Sequence, residues 1–435
     1  MSFSRIIPLV VASALFMENM DSTVIATSLP AIALDLGVDP VVLKLAFTTY
    51  LLSLTVFIPI SGWCADRYGA RNVFRLAIGV FTLGSVACGF AHSLESLIVA
   101  RAVQGLGGAM MVPVGRLILL RTTPKAELVR ALALLTMPAL LGPLLGPPVG
   151  GFITTYFHWR WIFWINIPAG LLGLVLATLY MPDIKEERPP PLDVLGFVLS
   201  GAGLSAVVFG TTVIGRLPAH GAEALMAVGV LILGLYGAHA RRIPDPILDL
   251  KLLNIETFRT GVVGGSLFRL GVGAVPFLMP LMLQVGFGLT PFQSGSLTFA
   301  AAAGALTMKF TAGRILKRFG FRAALLANGA ISSAFLAGQG LFTPETPHLL
   351  ILAVLLAGGY FRSLQFTALN AISYSDIAQR DMGRATSFYS VAQQLSLALG
   401  VACAAFVLEA SQAVRGEASL TVADFATAFI VVALA

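Results

Sequence analysis

Charge is scarce in this sequence. Only 11% of its 435 residues are Asp, Glu, Lys or Arg, while 57% are hydrophobic and the mean hydropathy is +0.88. A soluble domain carries about 25% charged residues, so no water-soluble fold of this length could hide so much apolar surface. Cysteine is scarce too. Cys64, Cys88 and Cys403 are odd in number and scattered, which excludes a disulfide framework and any Cys-based metal spacing and leaves them as small packing residues. A phosphate-binding P-loop (Gly-x-x-x-x-Gly-Lys-Ser/Thr) is absent, so this chain does not hydrolyse ATP. Gly105, Gly107 and Gly108 lie inside an apolar run rather than after a strand, so they are no nucleotide fingerprint. No His, Cys and carboxylate cluster suggests a metal or a hydrolase. Neither a cofactor nor an enzymatic activity is expected.

Long apolar runs are abundant. Read in order they give about fourteen spans, at 5–29, 41–62, 73–91, 94–120, 128–153, 161–180, 195–214, 225–240, 260–282, 295–310, 323–341, 349–371, 385–408 and 425–435. Continuous runs of roughly 20 residues fit membrane-crossing helices better than barrel strands. The first run resembles a signal peptide only superficially, since it is too long and contains Glu18 and Asp21. The last run stops about ten residues short of a full crossing, so the natural chain is expected to continue.

One pattern occurs twice. Gly62, Asp66, Arg67, Gly69 and Arg71 share their spacing with Gly313, Lys317, Arg318, Gly320 and Arg322. Each copy follows one long apolar run and precedes another. A loop signature shared by two halves marks an internal duplication, and duplicated halves around a midplane site are how many secondary transporters are built. Of the 28 Lys and Arg, 19 fall on the side of the N-terminus, four on the other side and five within spans. The positive-inside rule then places the N-terminus and both loop copies in the cytoplasm. The net charge of +7 follows from that bias and is no sign of nucleic-acid binding. The expected fold is an all-α integral membrane protein. Two six-helix bundles related by pseudo-two-fold symmetry, 1–181 and 253–435, flank linkers and a two-helix insert at 182–252. The cluster of Trp159, Trp161, Phe163 and Trp164 reads as an interfacial aromatic belt.

Five stretches carry a family resemblance: Met20 to Val24 with Leu29 and Pro30; Gly62 to Arg71; Arg101, Gln104, Gly105 and Gly107; Gly142 to Gly151; and His158 to Trp161 followed by Asn166, Ile167 and Pro168. In this order they resemble the motifs of the major facilitator superfamily, in particular its fourteen-span drug:proton antiporter branch. The resemblance covers essentially the whole chain. It implies a multidrug exporter in the bacterial inner membrane, active as a monomer on small molecules and protons. Lys317 stands where the first loop copy has Asp66, which breaks any matching gate role in the second half.

Charges inside a bilayer need a partner or a wet cavity. Glu18 and Asp21 lie three apart on one helix and point to one side. Counting about 1.5 Å per residue, Asp21 and Arg101 sit at similar depth, so they are expected to face each other or share a cavity. They form a candidate proton-coupling site, with Glu18 as a second carboxylate and Arg101 as a modulator; the alternative is a static bridge that fixes packing. Asp66 with Arg116 is the expected cytoplasmic latch, helped by Gly62, Gly69, Arg67 and Arg71, the alternative being simple anchoring by the basic residues. Gly142, Pro143, Gly146, Pro147, Gly150 and Gly151 read as tight packing, as a bending point, or as both. In the second half, Arg269, Arg362, Tyr389, Gln393 and Gln394 are candidate cavity residues. The two arginines could bind an anionic group, or could pair with backbone carbonyls or the glutamines.

The leading expectation is a proton-driven exporter working by alternating access. An exporter of an organic anion or a metal chelate such as citrate is the rival that Arg269 and Arg362 motivate. A non-transporting membrane sensor or scaffold is the rival from another class.

Overall fold

The computed structural model describes residues 3–123, 128–187, 191–214, 220–378, 381–416 and 419–434, with side chains from residue 7 and outside 128–140. Among these residues there is no strand. One helical rod stands for each expected span: α1 (Ile7–Leu36), α2 (Pro40–Tyr68), α3 (Ala70–Gly89), α4 (Leu94–Thr122), α5 (Leu128–Tyr156), α6 (Trp161–Tyr180), α7 (Val194–Thr212), α8 (Gly221–Ala240), α9 (Glu256–Gly286), α10 (Pro291–Met308), α11 (Ala312–Gln339), α12 (His348–Tyr374), α13 (Met382–Arg415) and α14 (Val422–Ala433). Eleven are long and apolar enough to cross a membrane, and α14 is a shorter apolar helix. Hydrocarbon offers no partner to a peptide group, so helices that close their own hydrogen bonds are what such a sequence can form.

Local chemistry sets the ends. Ser93 and Ser96 cap each other's backbone at the start of α4. Thr290 and Gln293 do the same for α10, with Pro291 at the first helical position. Asp193 caps α7 through the Gly196 amide at 2.8 Å. The expected loops at 66–71 and 317–322 are far shorter than the sequence pattern suggests. Helix continues to Tyr68, and the chain turns at Gly69 alone, with φ of +92°. In the second copy Gly320, with φ of +74°, breaks α11 at the same point of the pattern. Only a residue without Cβ takes these angles cheaply. Gly62 is helical instead and takes no part in the turn.

Packing repeats between the halves. In the first, α1 lies against α5 and α6, α2 against α4, and α3 against α4 and α6. In the second, α9 lies against α13 and α14, α10 against α12, and α11 against α12 and α14, which is the same pattern eight helices later. The seam between halves is reciprocal: α2 packs on α13, and α10 packs on α5. That reciprocity is what a pseudo-two-fold axis requires. Gly151 abuts the Pro291 carbonyl across this seam and Gly295 abuts the Pro147 carbonyl, so two helices touch backbone to backbone. The insert, α7 with α8, rests through α7 on α2 and α13.

One expectation takes a definite form here and another changes. Helix α5 runs without interruption through Pro143, Pro147 and Pro148. Its Gly142, Gly146 and Gly150 form one face that α1 approaches at Asn19, Thr23 and Val24, so close contact is a role seen for these glycines. The aromatic belt is also only partial. Trp161 is exposed, but Trp159 and Phe163 are buried, because Trp159 donates to Asp35 at 3.0 Å and Phe163 turns toward Arg101.

Gly295→Leu should lower the melting temperature of the detergent-solubilised chain, since overpacking costs about 1–3 kcal/mol. Gly338→Ala, whose added carbon meets nothing within 4 Å, should not. Equal melting of wild type and Gly295→Leu would count against the backbone contact of α5 with α10.

Candidate functional site

Asp21 of α1 and Arg101 of α4 meet at 2.6 Å, and both are almost wholly buried, at 2% and 0% exposure. The pair is enclosed by polar groups from two more helices. Asp21 Oδ1 accepts from Gln104 Nε2 at 2.8 Å and from Asn166 Nδ2 at 2.8 Å. Arg101 Nη1 also donates to Gln104 Oε1 at 2.6 Å, and Gln104 Nε2 donates to Ser85 Oγ at 2.7 Å. The Arg101 guanidinium lies over the Tyr50 ring, 4.1 Å from its centroid. Five helices of the first half, α1, α2, α3, α4 and α6, thus converge on one ion pair. Gly105 and Gly107 of α4 make room, because a side-chain carbon at either would strike the backbone of α2 or α3. Both Asp21 oxygens are bonded within this network, while Arg101 Nε is buried without a partner.

Glu18 lies one helical turn away and behaves differently. Its Oε2 is buried and has no hydrogen-bond partner, and neither has the nearby Tyr50 hydroxyl. Both face Gly108, where an added carbon would stand 3.8 Å from the Glu18 carboxyl carbon and 3.2 Å from the Tyr50 oxygen. Asp21 is fully engaged while Glu18 keeps an unanswered oxygen.

The expected pairing of Asp66 with Arg116 is not made. Asp66 is bridged by Arg121 at 2.9 Å, and Arg121 also reaches Glu186 at 3.3 Å. The physical reason is length: α4 continues to Thr122, so Arg121, more than a turn beyond Arg116, arrives level with the end of α2. Glu186 closes the arrangement by donating its amide to the Asp66 carbonyl at 3.2 Å. Arg67 is exposed, and Arg71 is half-buried with an unpartnered Nε. Arg116 is exposed elsewhere on α4, near enough to Glu18 and to Tyr374 of the second half for its charge to act on both.

In the second half Arg269 is fully buried. It donates to the Tyr389 hydroxyl and, at 3.4 Å, to the Gly261 carbonyl, and its guanidinium lies 4.5 Å from the Tyr389 ring centroid. Gly261 belongs to a π-helical turn, Thr260–Gly264, that departs from the α-helical bonding pattern. Tyr389 is buried too, with its ring 5.4 Å from Tyr374. Both residues therefore form a buried cluster in which Arg269 Nε has no partner. Arg362, Gln393 and Gln394 are another matter. All three are half-buried, and none makes a side-chain hydrogen bond or ion pair among the described residues. Arg362 shares a face of α12 with Phe366, which packs on Phe268 of α9.

Sequence reasoning quoted Gln104 and Asn166 as motif residues without giving them a role, and it passed over Ser85 and Tyr50. It also missed Lys44 and Glu409, which form a 2.7 Å ion pair across the seam, with the Lys44 side chain only 1% exposed. For Lys44 a lone charge inside the 41–62 run was the available signal, whereas Glu409 lies just past the end of the 385–408 run.

The family model described as the Major Facilitator Superfamily matches residues 11–401. The chain belongs to the major facilitator superfamily. It is 36% identical to the probable transport protein HsrA of Haemophilus influenzae over 92% of this chain and 86% of that protein. It is also 36% identical to a protein named for multidrug resistance, MdtD, of Serratia proteamaculans, over 92% and 84% of the two chains. Among solved structures, a D-xylose–proton symporter covers 100% of this chain and 97% of its own at a TM-score of 0.70 and 15% identity. The peptide-transporter relative PepTSo covers 99% and 96% at a TM-score of 0.72 and 17% identity. Those two show the fold alone. The chain is a multi-pass membrane transporter and not an enzyme.

Removing one side of the buried pair leaves the other charged and unanswered, at a cost of about 3–5 kcal/mol. Asp21→Ala should therefore melt well below wild type. Asp21→Asn, which still offers an oxygen to Arg101, should melt between the two. Arg121→Ala, at a partly exposed bridge, should cost no more than about 1 kcal/mol.

Proposed function

We propose that this protein is a proton-coupled exporter of amphipathic drugs or toxic compounds in the bacterial inner membrane. In this reading the Asp66 end lies in the cytoplasm, and the two halves rock about a site between them. The observation that carries it is the charge arrangement in α1: Asp21 locked to Arg101, with the unanswered carboxyl of Glu18 one turn away. A carboxylate can pass a proton only if its surroundings differ between conformations. Asp21 must release Arg101 to be protonated, so protonation and helix rearrangement become one event. Glu18 needs no such release. It is the natural first acceptor of a proton or the contact of a cationic substrate group, with Arg116 nearby to oppose both charges together. Protonation from outside favours reopening toward the cytoplasm; substrate binding there displaces the proton and favours export. The names of the MdtD relatives point to drugs as the cargo class.

A second reading keeps the transport cycle and changes the cargo. Arg269 is already held by Tyr389 and Gly261, but Arg362 has no partner among the described residues. One free guanidinium with Gln393 and Gln394 suits an organic anion such as citrate.

Purified protein in liposomes with an imposed pH gradient separates the readings. A lipophilic dye cation should move against its gradient with wild type and not with Asp21→Asn. Uphill dye movement by Asp21→Asn would sink the coupling scheme. Labelled citrate should stay still. Were it to move instead, Arg362→Gln should weaken its binding roughly ten- to hundredfold, the worth of one charged hydrogen bond, and the second reading would replace the first.

A further inference from the structure

The two-helix insert has no part in the transport scheme, yet it borders an apolar hollow. A cavity of about 220 Å³ lies between the insert and the second half. Its walls include Leu204 of α7, Leu233 of α8, Leu248 and Leu250 of the following linker, and Val391 and Leu395 of α13. The two polar wall residues are already engaged. The Ser200 hydroxyl donates to the Gly196 carbonyl at 2.7 Å, and the Tyr236 hydroxyl donates to the Leu248 carbonyl at 2.7 Å while accepting its amide at 2.8 Å. Nothing in the hollow awaits water, and apolar cavities of about 150 Å³ stay dry and take up hydrocarbon.

The surroundings say which hydrocarbon. Only 17% of the α8 window is buried inside protein, against 72% for α2 and for α9, so the insert's outer face meets lipid. Basic residues stand at the same end of the hollow. Arg241 and Arg242 follow α8 directly, about a turn and a half beyond Tyr236, and Lys251 adjoins Leu250. All three side chains are exposed and make no hydrogen bond or ion pair among the described residues. The acidic groups nearby are engaged. Asp245 is bonded by Arg384, and Asp249 lies 3.8 Å from Arg384. Asp193 holds His239 at 2.8 Å together with the amides of Gly196 and Ile247. Of the charges on residues 241–251, the ones left without a partner among the described residues are Arg241, Arg242 and Lys251, all positive.

The geometry points to a binding site for an anionic phospholipid of the surrounding bilayer. One acyl chain fills the hollow between α7, α8 and α13, and the headgroup phosphate sits on Arg241, Arg242 and Lys251. Such a lipid would pin the insert against α13, beside the seam that α13 forms with α2.

Native mass spectrometry and thermal melting of the full chain in detergent test this, using phosphatidylglycerol and phosphatidylcholine with identical acyl chains. Phosphatidylglycerol should bind and stabilise, and phosphatidylcholine should do so clearly less. Each basic residue near an anionic surface contributes about a fivefold preference. Arg241→Ser combined with Arg242→Ser should therefore cut phosphatidylglycerol binding roughly 25-fold and leave melting of the lipid-free chain unchanged. Ala392→Phe, which narrows the hollow, should cut binding of both lipids. Free glycerophosphoglycerol, which lacks the chains, should not bind. Equal stabilisation by the two lipids, binding untouched by the arginine pair, or binding of the free headgroup as tight as that of the lipid would each overturn the assignment. So would displacement of the lipid by a lipophilic dye cation at transport concentrations, which would make the hollow a substrate route instead.

Discussion

Water is absent from the hydrocarbon that these helices cross, so each charge carried into it must be answered by another group of the protein. Asp21 and Arg101 meet that demand with each other and with groups from three more helices. Their bonds reach Gln104, Asn166 and Ser85, and the Tyr50 ring covers the guanidinium. The cost of burial is met only because α1, α2, α3, α4 and α6 all come close, and they come close because Gly84, Gly105 and Gly107 carry no side chain. The ion pair and the glycines are thus one device. A larger residue at the glycines would push the helices apart, and loss of the pair would remove the reason for them to meet.

The second half answers its charge with different chemistry. Among the described residues no carboxylate faces Arg269; a phenol, two aromatic rings and a backbone carbonyl of a π-helical turn do. A tyrosine stays neutral across the physiological range, so this cluster has no proton to exchange there. The halves share an architecture yet differ in electrostatics: a titratable pair in one, a fixed cation in the other. Coupling to protons, where it occurs, must be argued from the first half, and anion recognition from Arg362 of the second.

The number, order and approximate limits of the helices were legible because hydrophobic run length is dictated by bilayer thickness. The duplicated loop pattern was legible for a stronger reason, since Gly69 and Gly320 both hold a positive φ that the chain can take cheaply only without a Cβ. The meeting of Asp21 with Arg101 followed from counting residues along two helices. Partners set by helix ends and rotation did not follow. Arg116 and Arg121 are both basic residues late in α4, and only the observed length of α4 and the path of residues 183–186 decide which one reaches Asp66. Tyr389 and Gln393 lie four apart on α13 and read as one face, yet Tyr389 is drawn inward by Arg269 while Gln393 is left without a partner. Periodicity gives the face of a helix; it does not give the depth of a neighbour's side chain.

The seam between halves has a similar logic. Lys44 and Glu409 pair across it, and Gln284 donates to the Thr27 carbonyl at 2.9 Å at the same end, opposite Asp66. Thr27 sits in the 3₁₀ turn of α1 and Gln284 in the second π-helical turn of α9, so two irregular backbone segments are joined where the halves touch. Separating this end would break an ion pair whose lysine is buried, but it would also return both charges to water. The desolvation penalty of a buried pair largely offsets its attraction, so wetting the pair costs far less than removing one partner. A latch of this kind fixes the register of the two halves firmly while adding little to the barrier against parting them. Backbone contacts such as that of Gly295 with Pro147 work by the same economy, because they hold by shape and release without exposing any charge.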